Sequence, residues 1–134
     1  MWVRAFDGTD WGAWDAFTFT TVANTAPVAT ISDHSLQEDQ WSRVDSWVSY
    51  ADANGNPATQ YQFWDGGSAA DSAFFWTPSN AHHAAGTAIT VAAADLNSVW
   101  VRGGHNGGSE TMWVRAYDGA DWGPWDSFTL NTLG

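Results

Sequence analysis

The sequence has no cysteine. Disulfides, thiolate zinc sites and thiol catalysis are excluded together. It has no lysine either, and its 4 basic residues are Arg4, Arg43, Arg102 and Arg115. Against them stand 15 acidic residues, for a formal net charge of −11. A chain this acidic repels phosphate backbones, which excludes nucleic acid as a partner, and it argues against anionic lipid surfaces. No apolar run approaches the roughly 20 residues that a spanning helix needs, so no membrane insertion is expected. No secretory signal pattern is visible at the start. Glutamate is scarce as well: only Glu38 and Glu110 stand among the 15 acids, and the rest are Asp. Glu and Lys dress helices, whereas Asp belongs in turns, caps and oxygen-ligand sites.

What is present points the same way. The 134 residues include 11 Trp and 13 Gly, a composition of β-strands and turns in one domain of modest size.

An internal repeat sets the frame. Residues 1–21 read MWVRAFDGTDWGAWDAFTFTT, and residues 112–132 read MWVRAYDGADWGPWDSFTLNT, identical at 15 of 21 positions at an offset of 111. That period is far too long for a solenoid and suits one small sandwich domain with its connection. Residues 1–23 therefore read as the terminal hairpin and linker of a preceding repeat, and residues 24–134 as one complete repeat. Each copy reads as a β-hairpin. In the second, Trp113, Arg115 and Tyr117 face one way and Val114 and Ala116 the other. Further strands are predicted at Val28–Ile31, Thr59–Trp64, Ala73–Trp76, Ala88–Val91 and Val99–Val101, while Trp41–Tyr50 stays open between strand and helical turn. Short strands divided by Gly, Asn and Asp clusters predict an all-β sandwich.

Three segments carry a resemblance. The opening ANTAPVATISDHSLQEDQ has a Pro-anchored first strand and then the acidic pair Glu38–Asp39. YADANGNPATQYQFWD has an Asp-rich loop leading into a strand. WVRAYDG…WDSFTLNT has a final hairpin with an A-x-D motif at Ala116–Asp118. Together they resemble the cadherin-like and immunoglobulin-like tandem repeats of large bacterial secreted and surface proteins, including type I-secreted adhesins. The resemblance covers essentially the whole chain. It implies a Greek-key sandwich and an extracellular or cell-surface structural or adhesive module. Its partners would be other repeats of the same protein or identical chains.

The resemblance also implies calcium. Carried over, the ligands are Asp52, Asn54, Asn56 and Asp118, with Glu38. Calcium takes six to eight oxygens at about 2.3–2.6 Å, and Asp52-Ala53-Asn54-Gly55-Asn56 offers oxygens at alternate positions around a Gly bend. Asn stands at two positions where the pattern is usually acidic, which lowers ligand charge and implies a weak site. The competing reading is a plain turn, because Asn and Asp bond their own backbone there.

The tryptophans admit two readings. Trp11, Trp14, Trp122 and Trp125 lie in or beside the hairpin turns. An exposed indole face can stack a sugar, as in carbohydrate-binding modules; equally, Trp fills gaps in a lean sandwich.

No catalytic residue is singled out. His34, His82, His83 and His105 form no metal-ligand spacing and read as solvated loop residues. GGHNGGS at 103–109 lacks a phosphate-binding Lys and reads as a flexible turn. The first hairpin is left without a body, because residues 24–111 have one place for a closing hairpin. Its apolar face invites association, whether onto its own domain, in a symmetric dimer or by domain swapping.

Overall fold

The computed structural model describes residues 1–21, 23–67 and 72–134. The strands are β1 (Trp2–Val3), β2 (Asp15–Ala16), β3 (Val28–Ile31), β4 (His34–Gln37), β5 (Trp41–Arg43) and β6 (Val48–Ala51). They continue with β7 (Gln60–Asp65), β8 (Phe74–Trp76), β9 (Ala88–Ala92), β10 (Trp100–Arg102), β11 (Gly108–Tyr117) and β12 (Asp126–Leu133). Only two short 3-10 turns interrupt them among the described residues, at Asp45–Trp47 and Ala93–Ser98. The fold is all-β.

Five strands form one sheet in the order β4-β12-β11-β7-β9, in which only the β12–β4 pair is parallel. A second sheet has the order β5-β10-β8, and β3 pairs with β6. Period-2 alternation sorts the side chains. On β11, Met112, Val114 and Ala116 are fully buried, while Trp113, Arg115 and Tyr117 turn outward. Phe63 of β7 meets Phe75 of β8 with ring centroids 5.3 Å apart, so the two sheets share one core in the manner of a β-sandwich. Val44, Val101 of β10, and Phe128 and Leu130 of β12 fill it from three further places in the chain.

The ambiguous stretch Trp41–Tyr50 resolves into a strand, a 3-10 turn and a second strand. The expected flexible turn at 103–109 is corrected at both ends, since Gly108 and Ser109 already belong to β11. Gly103 and Gly104 are buried, and Gly104 N donates to Thr132 Oγ1 at 2.9 Å. A side chain on Gly103 would run into the Gln37 carbonyl. His34 is likewise no loop residue. It lies on β4, stacked on Trp47 at 3.9 Å, and burial lowers its pKa.

The first hairpin stands apart from the core. Its strands are two residues long, and every described residue of 1–21 is exposed.

Candidate functional site

The turn after β11 and the loop after β6 meet at one pole of the domain. Asp118 Oδ1 accepts from the backbone N–H groups of Ala120 at 2.9 Å and Asp121 at 2.8 Å. Its Oδ2 accepts from the Asn24 side-chain amide at 2.9 Å, and the same amide reaches Asp121 Oδ2 at 2.8 Å. Asn24 Oδ1 accepts in turn from Asn56 Nδ2 at 3.0 Å. Asn54 Oδ1 takes the Thr25 N–H at 2.7 Å, and Asp52 Oδ1 takes the Asn54 N–H at 2.8 Å. Gly55, at φ 75°, makes the bend that allows this. The structure thus brings Asp52, Asn54, Asn56 and Asp118 together, and adds Asn24 and Asp121.

The pole is electrostatically tense. The Asp121 N–H, and then the Asn24 amide, hold the Asp118 carboxyl down at about 2. Burial pushes the Tyr50 hydroxyl up to about 12, with Asp52 and Asp118 adding to the effect, while that hydroxyl donates to the Asn56 carbonyl at 2.8 Å. Asp52 Oδ2 is buried without a well-formed hydrogen bond. Among the described residues no three acidic or imidazole side chains alone form a metal cage. Any cation here would draw on the Asn amides and backbone carbonyls as well as on carboxylates, a donor set made wholly of hard oxygens.

Glu38 does not belong to this group, which corrects the expected ligand set. β4 runs parallel to β12, with Gln37 opposite Leu133. That register carries Glu38 to the Gly134 end of the sheet, whereas Asp118 closes the other end of β11. Ten residues of strand, about 33 Å, separate the two poles. Beside Glu38, Asp39 accepts from Arg102 and contacts His105 Nδ1 at 3.0 Å.

The W-x-x-W pairs hold arginines. The Arg115 guanidinium lies 4.7 Å from the Trp122 ring and 4.6 Å from that of Trp125. Arg4 repeats the arrangement with Trp11 at 4.5 Å and Trp14 at 4.4 Å. One face of each of these four indoles is therefore engaged by a cation. The aromatic surface extends onto both sheets, and on one of them Arg102 lies 6.0 Å from the Trp41 ring and 5.8 Å from that of Phe74. Trp64, Trp113 and Trp125 border a shallow hollow of about 380 Å³ on the five-stranded sheet. On the other sheet, register places Trp41, Phe74, Trp76, Trp100 and Arg102 on one outward face, with Phe75 and Val101 buried beneath it. The distances in sequence between β5, β8 and β10 hid this face. Its signal was the alternation within FFW and WVR.

A second pair of carboxylates also escaped the sequence reading. Asp65 ends β7, is 2% exposed, and accepts from Gly67 N–H at 2.9 Å. Glu110, on β11, accepts from Ala73 N–H at 2.7 Å, and its Oε2 is buried without a partner. Burial raises both carboxyls to about 6. His83 is half-buried against Thr77 Oγ1 at 2.7 Å, and His82 stacks on Phe74 at 3.9 Å.

No protein-family model matches the chain, and neither a curated protein nor a solved structure matches it. No helix is long and apolar enough to cross a membrane among the described residues.

Proposed function

We propose that this chain is a non-catalytic structural and adhesive module of a large extracellular bacterial surface protein. In this reading it is a cadherin-like Greek-key repeat stiffened by calcium at the Asn24–Asp118 pole. One observation carries the reading. Asp52 Oδ2 is buried without a well-formed hydrogen bond, beside the Asp118 carboxyl and the Tyr50 hydroxyl that interact with it. A buried carboxylate oxygen left this way is costly, and a cation removes that cost. Asp52 and Asp118 would supply carboxylate oxygens to the ion, and the Asn54 and Asn56 amides would exchange their present hydrogen bonds to add theirs. The ion would tie the loop after β6 to the hairpin turn after β11. Titration calorimetry tests the site. Saturable heat at millimolar calcium, lost in Asp52→Ala, supports it; no heat in the wild type overturns it.

A second reading is a carbohydrate-binding module, favoured by the outward face of Trp41, Trp76 and Trp100 rather than by the arginine-filled pairs. Sugar-specific quenching on a glycan array, lost in Trp100→Ala, would establish it. A blank array would remove it.

A further inference from the structure

The first hairpin is built like its twin but covers nothing. Register is the same in both: Trp2 pairs with Ala16 as Trp113 pairs with Ser127, and Phe6 bridges Trp11 as Tyr117 bridges Trp122. The turns agree as well. Asp7 Oδ1 accepts from Thr9 N and Asp10 N at 2.8 Å, matching Asp118 with Ala120 and Asp121. Gly12 N donates to Ala5 O at 2.7 Å, and Gly123 N to Ala116 O at 2.8 Å. The arginine ladder is present in both. The hairpin therefore holds the docked shape without a dock.

Its inward face is the face that the twin buries. Met112, Val114, Phe128 and Leu130 are at most 1% exposed, while Met1, Val3, Phe17 and Phe19 are 69%, 57%, 49% and 69% exposed. Apart from Phe19 in place of Leu130, the inward side chains are identical.

The hairpin cannot take the place of its twin on its own domain. Thr21 corresponds to Thr132, which pairs with Gly108 at the far end of the sheet. The first strand anchor independent of the twin is Val28, paired with Ala51 next to Asp52 at the near end. Seven residues of chain reach at most about 25 Å, whereas the strand between the two ends runs about 30 Å.

We propose that residues 1–21 dock outside the 24–134 unit, on the body of another unit of the 24–111 type. There they would add two strands between the equivalents of β7 and β4, as residues 112–132 do here. The inference rests on the reading of this chain as one of a series of like units. Its test is run in EDTA, so it fails or stands separately from calcium. The full chain carrying Val114→Asp and Phe128→Asp expels its own hairpin, because carboxylates are costly in the apolar slot. Each chain then offers one intact hairpin and one vacant slot, a head-to-tail arrangement that rings or extends. Light scattering should show the mean mass rise at least twofold with concentration, with cooperative unfolding retained. Adding Val3→Asp and Phe17→Asp should abolish both. Three results would overturn the proposal: a double variant that is unfolded and monomeric, one that is folded and monomeric, or association that survives in the quadruple variant.

Discussion

Asn24 donates its side-chain amide to Asp118 at 2.9 Å across 94 residues of sequence, and so fastens the entering chain to the turn that ends β11. The same amide serves Asp121. Asn24→Ala strips one donor from two carboxylates that water can reach, and should cost about 0.5–1.5 kcal/mol, the net worth of an ordinary hydrogen bond. Guanidinium denaturation followed by Trp fluorescence measures it. A loss below a few tenths would mean that the linker contributes nothing to the pole.

Twin glycines separate docked from undocked hairpin. A side chain on Gly123 would run into the Pro27 carbonyl, whereas one on Gly12 meets only Ala5 O at 3.4 Å. Gly123→Ala should destabilise by about 1–3 kcal/mol or more, as overpacked sites do. Gly12→Ala should leave the unfolding midpoint unchanged. Equal effects in the two copies would contradict the different settings of the hairpins.

The arginine ladders invite the same contrast. Arg115 also donates from Nε to Gln62 Oε1 at 2.8 Å, which joins the ladder to β7. Arg115→Ala should lower stability by about 1–2 kcal/mol, the range for partly desolvated cation–π contacts. Arg4→Ala should alter the Trp emission of the first hairpin without moving the global transition.

Asp65 and Glu110 set a pH dependence. Burial raises both to about 6, and the Gly67 and Ala73 N–H groups only partly oppose it. The folded state then holds more protons than the unfolded state between about pH 4 and 6. Stability contributed by these groups is therefore full below pH 4, falls as pH rises through 6, and is level above it. These two groups raise the melting temperature at pH 5 relative to pH 7.5, against an opposing contribution from His34 and His83, whose pKa values burial lowers. Asp65→Asn with Glu110→Gln should lower the melting temperature at pH 5 relative to that at pH 7.5. Asp118 works in the opposite sense and lower: its contribution is lost as pH falls from about 4 through 2.

Much of the fold is legible in the sequence because strand alternation is local. Met112, Val114 and Ala116 announce their buried face through residues two apart, and the repeat at 1–21 doubles the signal. Asp121 could have been found the same way, since Asp10 recurs at its position in the first copy. Long-range pairing was not legible. The parallel β4–β12 register alone sends Glu38 to the far pole, and nothing near Glu38 in sequence reveals it. The outward face of Trp41, Trp76 and Trp100 likewise exists only after three distant strands align. Asp65 and Glu110 become a pair only because β7 lies beside β11.

Calcium binding at the pole is tested most directly by the melting temperature in EDTA and in ten-millimolar calcium, for the wild type and for Asp118→Ala. A ligand that binds only the folded state stabilises it by RT ln(1 + [L]/Kd), so a millimolar site at that concentration adds about 1.4 kcal/mol. The expected result is a rise of several degrees in the wild type, absent in Asp118→Ala and smaller with magnesium, which fits flexible oxygen cages poorly. An unchanged wild-type melting temperature, or an equal rise in Asp118→Ala, would contradict the calcium pole and reduce Asp52–Asn56 to a turn.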